Sequence, residues 1–211
     1  MKILLACEES QTVCKEFRKL GHEAYSCDIL PCSGGKPEWH IQGDVLPLLK
    51  EKWDLIIAFP PCTYISNAGA CRLYPKKGEL NIERYEKGLD AKKFFMEIYN
   101  ADCEHIAIEN PVSSLVFNMP KHTQEIQPYE FGHPYSKKTR LWLKGLPDLK
   151  STNLIRDNIV SWVSGGSKDQ YGNPRKNKGT KARSSILRSK TFQGIAEAMA
   201  KQWSEYLKQL K

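Results

Sequence analysis

The sequence predicts an α/β fold, a mostly parallel sheet with helices on both faces. Three observations predict it. Short apolar runs alternate with segments of helical period along most of the chain. The clearest run, LIIAF within 53–62, is apolar throughout, as strands covered on both faces are. The chain has 211 residues, 40% hydrophobic and 27% charged, an ordinary balance for one α/β domain with at most a small appendage.

The elements follow in order. Residues 2–6, KILLA, read as a short buried strand. Ser10 is a candidate cap for a helix from about 11 to 20, which Gly21 would end. HEAYSCDIL is a second strand closing on Asp28. Residues 31–40 are turn-rich, IQGDV is a short strand, and LPLLKEK is a brief helix or turn. The strand at 53–62 is stopped by Pro60 and Pro61. A polar, basic stretch, ACRLYPKKGELN, precedes a long helix over 82–100. HIAIEN is another buried strand, 112–125 is helix or irregular, and IQPYEFG and TRLWLKG are two further strands. The Gly/Asn/Lys-rich stretch 164–183 is expected to be a mobile loop. TFQGIAEAMAKQWSEYLKQ closes the chain as an amphipathic helix. The domain reading is a core of 1–144 and 190–211, with a small basic insertion at 145–189.

Charge and cysteines narrow the function. Lys plus Arg number 32 against 24 Asp plus Glu, a net +8. Residues 136–190 carry 14 basic and 3 acidic side chains, leaving 18 basic and 21 acidic elsewhere. A basic third on a near-neutral body suits a polyanion, nucleic acid first, although a solvated charged surface gives the same count. The mean hydropathy is −0.53 and no apolar run approaches membrane-spanning length, so no membrane partner is expected. The N-terminal apolar stretch is too short for a signal peptide, which places the protein in the cytoplasm. Seven cysteines, with no CxxC pair and no zinc spacing, argue for reduced thiols and against a metal site.

Open parallel sheets bind ligands at the carboxyl ends of their strands. That rule brings Asp28, Pro60-Pro61-Cys62 and Glu109-Asn110-Pro111 to one rim. A thiol at a strand-to-helix turn is a nucleophile once ionised. A carboxylate with one face dry exchanges a proton with a ring nitrogen, and an Arg stabilises the anion formed on attack. The set suits nucleophilic activation of a heteroaromatic base. Simpler structural roles are also open: a buried thiol for Cys62, a cap or lysine partner for Glu109, and an edge-strand charge for Arg140.

Pro61-Cys62-Thr63-Tyr64-Ile65-Ser66-Asn67-Ala68-Gly69 resembles the PCxxxSxxG nucleophile motif of DNA cytosine-C5 methyltransferases. Glu109-Asn110-Pro111 is similar to their ENV motif. Ser136-Lys137-Lys138-Thr139-Arg140 resembles QxRxR, with Arg140 as the last Arg and Lys138 as the earlier one. Gly194 is similar to the glycine before their final helix. The order agrees along nearly the whole chain, and the resemblance is strongest to short phage-encoded members. It implies a Rossmann-like methyltransferase fold and S-adenosyl-L-methionine as cofactor. Cys62 would attack C6 of cytosine, Glu109 would hold N3 and the amine, and Arg140 would brace Glu109. Candidate cofactor contacts are Cys7, Glu8, Ser10, Asp28, Asp44 and Pro60. Candidate nucleic-acid contacts are Ser66, Asn67, Arg72, Lys76, Lys77, Asn110 and Lys138, with the segment after Gly69 as a lid over a flipped base.

Two departures from the family stand out. Its glycine-rich first turn reads Ala6-Cys7-Glu8-Glu9-Ser10-Gln11 here, without glycine. Glu8 would pair with the cofactor's ammonium group or serve as a helix N-terminal charge, and Asp28 and Asp44 also suit simple turn roles. The interval 145–190 is too short for a full recognition domain, so a partner protein would supply specificity, or specificity is low. Rival readings are pyrimidine-C5 chemistry on a nucleotide or single strand, and a non-catalytic nucleic-acid-binding decoy.

Overall fold

The computed structural model describes residues 1–76, 78–162 and 188–210. Seven strands form one sheet in the order β3-β2-β1-β4-β5-β8-β6. They are β1 Lys2–Ala6, β2 Glu23–Asp28, β3 His40–Gln42, β4 Leu55–Ala58, β5 Ile106–Pro111, β6 Gln124–Ile126 and β8 Thr139–Lys144. The first five are parallel, in the 3-2-1-4-5 arrangement of doubly wound nucleotide-binding sheets. β8 enters between β5 and β6 and runs antiparallel to both. The fold is therefore the Rossmann-like α/β architecture that the alternating pattern predicts.

Alternation along the strands separates two apolar layers. Ile3, Leu5, Leu55, Ile57, Ala107 and Leu141 face helix α1 (Thr12–Lys19) and the closing helix α4 (Gln193–Gln209). Leu4, Ala6, Ile56, Ala58, Ile106, Ile108 and Trp142 face α3 (Ile82–Tyr99), through Phe95 and Ile98. Trp203, wholly buried on α4, also donates to the Pro147 carbonyl at 3.0 Å. Trp53, Trp142 and Trp162 likewise pack in or against the two cores rather than stand free for a base.

Most of the elements fall where the pattern places them; several details differ. The stretch 126–132 is a strand only to Ile126, because Pro128 opens a 3-10 turn over Pro128–Glu130. Of the 112–125 region, 112–123 is irregular with a 3-10 turn at Leu115–Phe117, and 124–125 already belong to β6. A one-turn helix, α2 (Ala70–Leu73), follows Gly69. A small parallel pair, β7 (Tyr135–Ser136) with β9 (Val160–Ser161), gathers Tyr135, Trp162 and Phe192 into an aromatic cluster with centroids 4.6–5.9 Å apart. Leu149 and Trp162, from the described flanks of the 145–189 interval, pack on the α1/α4 layer. The expected loop at 164–183 lies outside the described residues.

Ser10 is not the cap of α1. Gln11 occupies that position with φ 55°, and the free amides of Val13 and Cys14 bond the Glu8 carboxylate at 2.6 and 3.1 Å. Burial pushes the Glu8 carboxyl up to about 8, partly opposed by those two amides. An acid whose folded pKa is raised keeps its proton where the unfolded chain has lost it. Its contribution to stability therefore declines as pH climbs from about 5 to about 8. Glu8→Ala should lower stability by about 1 kcal/mol through the lost cap. It should also flatten that decline, as read by thermal unfolding across the same pH range.

Candidate active site

The rim is built from β4 and β5 outward. Pro60 is buried where β4 ends, and Asn110 Nδ2 donates to its carbonyl at 3.2 Å. The segment after Cys62 then runs against the segment after β5. Asn67 N donates to the Val112 carbonyl and Ser114 N to the Ile65 carbonyl, each at 2.8 Å, with Ser66 and Ser113 bridged between them. From α3, Arg84 Nη2 donates to the Thr63 carbonyl at 2.7 Å while its guanidinium lies 5.0 Å from the Tyr64 ring centre. Gly69 is needed here, since a Cβ on it would stand 2.6 Å from that Nη2. The cysteine loop is thus tied at its start by the Asn110 side chain, at its far end by backbone bonds, and held in the middle by Arg84.

Cys62 and Glu109 share one electrostatic environment. Burial and the neighbouring Glu109 charge push the Cys62 thiol up, while Lys137 and Arg188 oppose this. Burial likewise raises the Glu109 carboxyl, against Lys137 and a hydrogen bond from the Thr139 side chain. In the free protein the thiol is therefore held protonated, and Glu109 keeps its proton to higher pH than an ordinary carboxyl. Lys137 is the cation both groups have in common, and its own amide donates to Gln127 Oε1 at 3.0 Å.

Arg140 does not join them, which corrects the sequence expectation. In the β5–β8 register Glu109 stands opposite Leu141, and Asn110 stands opposite Arg140. Directly opposed residues share a face, and neighbours along a strand take opposite faces. Glu109 therefore lies on the α1/α4 side with Thr139 and Lys137. Arg140 lies on the α3 side, where its Nε is 3.5 Å from Glu125. Lys138 is turned the same way and pairs with Glu125 at 2.8 Å. A shift of one residue in the matched motif moves its whole side-chain set to the other face.

At the other half of the rim, Cys7 takes the left-handed conformation, φ 59°, where the glycine-rich turn would be. Such a conformation is uncommon for a side-chain-bearing residue and marks a site where the fold demands it. Burial, then Asp28, Cys27 and Asp44, raise the Cys7 thiol, so both carboxylates lie near it. Asp28 Oδ1 accepts from Leu30 N at 2.9 Å and Asp44 Oδ1 from Leu46 N at 3.0 Å, which orients them as turn acceptors. Beside Asp28, Ile29 is 74% exposed, an apolar surface at a strand end that sequence reading passed over. Two carboxylates and an exposed apolar side chain fit the hydroxyls, amine and ring of an adenosine. Glu8 is only 5% exposed and given to α1, so its carboxylate is not available to a ligand's ammonium group. The Ser10 hydroxyl meets Thr12 Oγ1 at 3.0 Å.

Of the other expected contacts, Ser66 and Asn110 are buried beneath the rim, and Asn67, Arg72 and Lys76 are exposed around it. Lys76 pairs with Glu79 at 3.5 Å. Lys77 lies outside the described residues. Lys137, Thr139 and Arg84 were missed as site residues. The alternation of TRLWLK held the signal for Thr139, had the strand been paired with HIAIEN.

No protein-family model matches the chain, and no curated protein matches it. Among solved structures it is similar to a prophage-encoded E. coli protein assigned as a DNA modification methyltransferase. The identity is 12% and the TM-score 0.44, over 75% of this chain and 52% of that one. The chain thus spans about half the length of that protein.

The charges around Cys62 set its reactivity. With site-resolved iodoacetamide labelling at mildly alkaline pH, Glu109→Gln should speed alkylation of Cys62, because a charge opposing the thiolate is gone. Lys137→Met should slow it, and Arg140→Met should leave it unchanged. Slowing by Arg140→Met alone would restore the motif-based placement.

Proposed function

We propose that this chain is an S-adenosylmethionine-dependent methyltransferase acting on C5 of cytosine in DNA through a covalent Cys62 adduct. The observation that carries the reading is the pairing of a thiol and a partly buried acid at adjacent strand ends, with one shared lysine. Both groups are neutral-leaning in the free protein, which suits a cleft that receives an uncharged ring.

In this reading Cys62 gives its proton to water and its Sγ bonds to C6. The C5–C6 electron pair moves into the ring, and N3 takes a proton from Glu109, so no full charge is left on the base. Lys137 and Thr139 then hold the Glu109 carboxylate that results. Asp28, Asp44 and the turn at Cys7 would hold the cofactor, which would supply an electrophilic methyl group for C5 and be left as a neutral thioether. Release of the C5 proton to water and of Sγ from C6 restores the aromatic ring, and the thiol and the acid regain their protons. Arg84 and Gly69 keep the Cys62 loop in place while its thiol cycles between bonded and free.

A second reading is favoured by Glu8, which closes the N-terminus of α1 internally: a nucleic-acid-binding protein of the same fold without transfer chemistry. Calorimetry separates the two, since micromolar binding of the cofactor belongs to the enzyme alone.

The enzyme reading is tested with DNA carrying 5-fluorocytosine, in which fluorine stands in place of the C5 proton and cannot leave as a cation. A complex stable to denaturation should form with the cofactor present and map to Cys62. Cys62→Ala should form none and lose at least about 10³-fold in methyl transfer. A Cys62→Ala protein that still methylates would overturn the proposal.

A further inference from the structure

On the α3 side of β8, behind the strand that carries Glu109, lies a cavity of about 160 Å³. Its walls include Ser113, Asn118, Lys121, His122, Arg140 and Trp142. Two polar atoms at it are buried without a hydrogen-bond partner: Ser113 Oγ, on a residue 9% exposed, and Arg140 Nε. Asn110, 1% exposed and opposite Arg140 in the register, leaves its Oδ1 unpartnered on the same face. A buried hydroxyl without a partner is costly in a finished structure, and the Arg140 Nε–H is met only by Glu125 at 3.5 Å, too long for a good hydrogen bond. They are what a site looks like when an oxygen-rich anion completes it.

The local charge agrees. Arg140, Lys121 and Lys138 are cationic, and Glu125 is the acid that faces them. Glu125 is held closely by Lys138 at 2.8 Å and only loosely by Arg140 at 3.5 Å. The balance is positive, and the Arg140 fork is not saturated by its neighbour. Beside the cavity, Leu115 is 95% exposed and Val116 39% exposed on the strap that pairs with the Cys62 loop. An apolar knob next to a cationic pocket matches a chain in which bases alternate with phosphates.

We propose that this cavity binds one phosphodiester of the nucleic-acid strand that enters the Cys62 cleft, with Arg140, Lys121 and Ser113 as its donors. The inference rests on the nucleic-acid part of the proposed function. A strand crossing the ends of β5 and β8 would place its target base on the Glu109 side and a neighbouring phosphate on the Arg140 side. A free nucleotide would not span both, because the two faces are separated by the thickness of the sheet.

The test is the salt dependence of binding to a fluorescein-labelled, cytosine-containing single-stranded DNA of about 12 nucleotides, followed by anisotropy from about 50 to about 200 mM salt. Arg140→Ala and Lys121→Ala should each weaken binding roughly tenfold and reduce the slope of log K against log salt by about one. Arg140→Lys should keep the slope and lose only part of the affinity, and it keeps the test open if the alanine variant fails to fold. Lys201→Ala, exposed on α4, should match the unmodified protein. An unchanged slope in Arg140→Ala, or an equal loss in Lys201→Ala, overturns the proposal. So does an equal loss of affinity for deoxycytidine monophosphate, which would make the pocket a terminal-phosphate site. A normal Arg140 effect in a protein that forms no Cys62 adduct would sink the transfer chemistry and leave this pocket standing.

Discussion

The charged groups around Glu109 take their sides from the antiparallel pairing of β5 with β8. Six consecutive pairs, from Ile106 with Lys144 to Pro111 with Thr139, fix the register. It cannot slip by one residue without turning Leu141 out of the α1/α4 layer and Trp142 out of the α3 layer, each of them buried. Core packing in the middle of the strand therefore decides the electrostatics at its end. Lys137 and Thr139 are carried to Glu109, while Lys138 and Arg140 are carried to Glu125.

The parallel half of the sheet was legible because its signal is strong and local. KILLA, LIIA and HIAIEN are apolar runs with breakers at their ends, and Asn81 caps the long helix by accepting from Arg84 N at 3.0 Å. Cys62 and Glu109 were legible for the same reason, since strand ends in such a sheet converge by rule. Arg140 was not, because its face depends on a pairing between residues thirty apart. Motif spacing is blind to a single-residue offset. Lys137 also sits beside a lysine of equal chemistry, so composition could not choose between them.

The first turn was illegible in a different way. Absence of glycine there reads as an obstacle to a tight backbone, yet Cys7 and Gln11 both adopt left-handed conformations. The turn is made with side chains present, and its strain is offset nearby. Gly34 comes so close to Gln11 that a Cβ would stand 2.5 Å from the Gln11 Cβ, and Gln11 Nε2 donates to the Lys36 carbonyl at 2.7 Å. The glycine that lets the backbones approach has moved from the turn to the loop packed on it. Glu8 then does for α1 what a Ser or Asp cap does elsewhere, from three residues before the helix position that sequence rules inspect.

These features bear together on how a cleft with few cations can activate a thiol. The Glu109 charge raises the cost of ionising Cys62, and burial raises both groups. Lys137 opposes that cost for each of them, and Arg188 for Cys62 alone, yet burial and Glu109 still hold the thiol up. The cleft thus favours states with one negative charge over states with two. In the proposed reaction this is an advantage: as Sγ bonds to carbon its charge leaves the cleft, which frees Lys137 to stabilise the Glu109 carboxylate left when the acid has given its proton to the ring. Were Arg140 also present on that face, a further fixed cation would favour the ionised form of Glu109 and work against the acid that the ring nitrogen needs. With Arg140 behind the sheet, burial raises the Glu109 carboxyl against Lys137 and Thr139 alone, and in the proposed reading the guanidinium is left for the strand's phosphate.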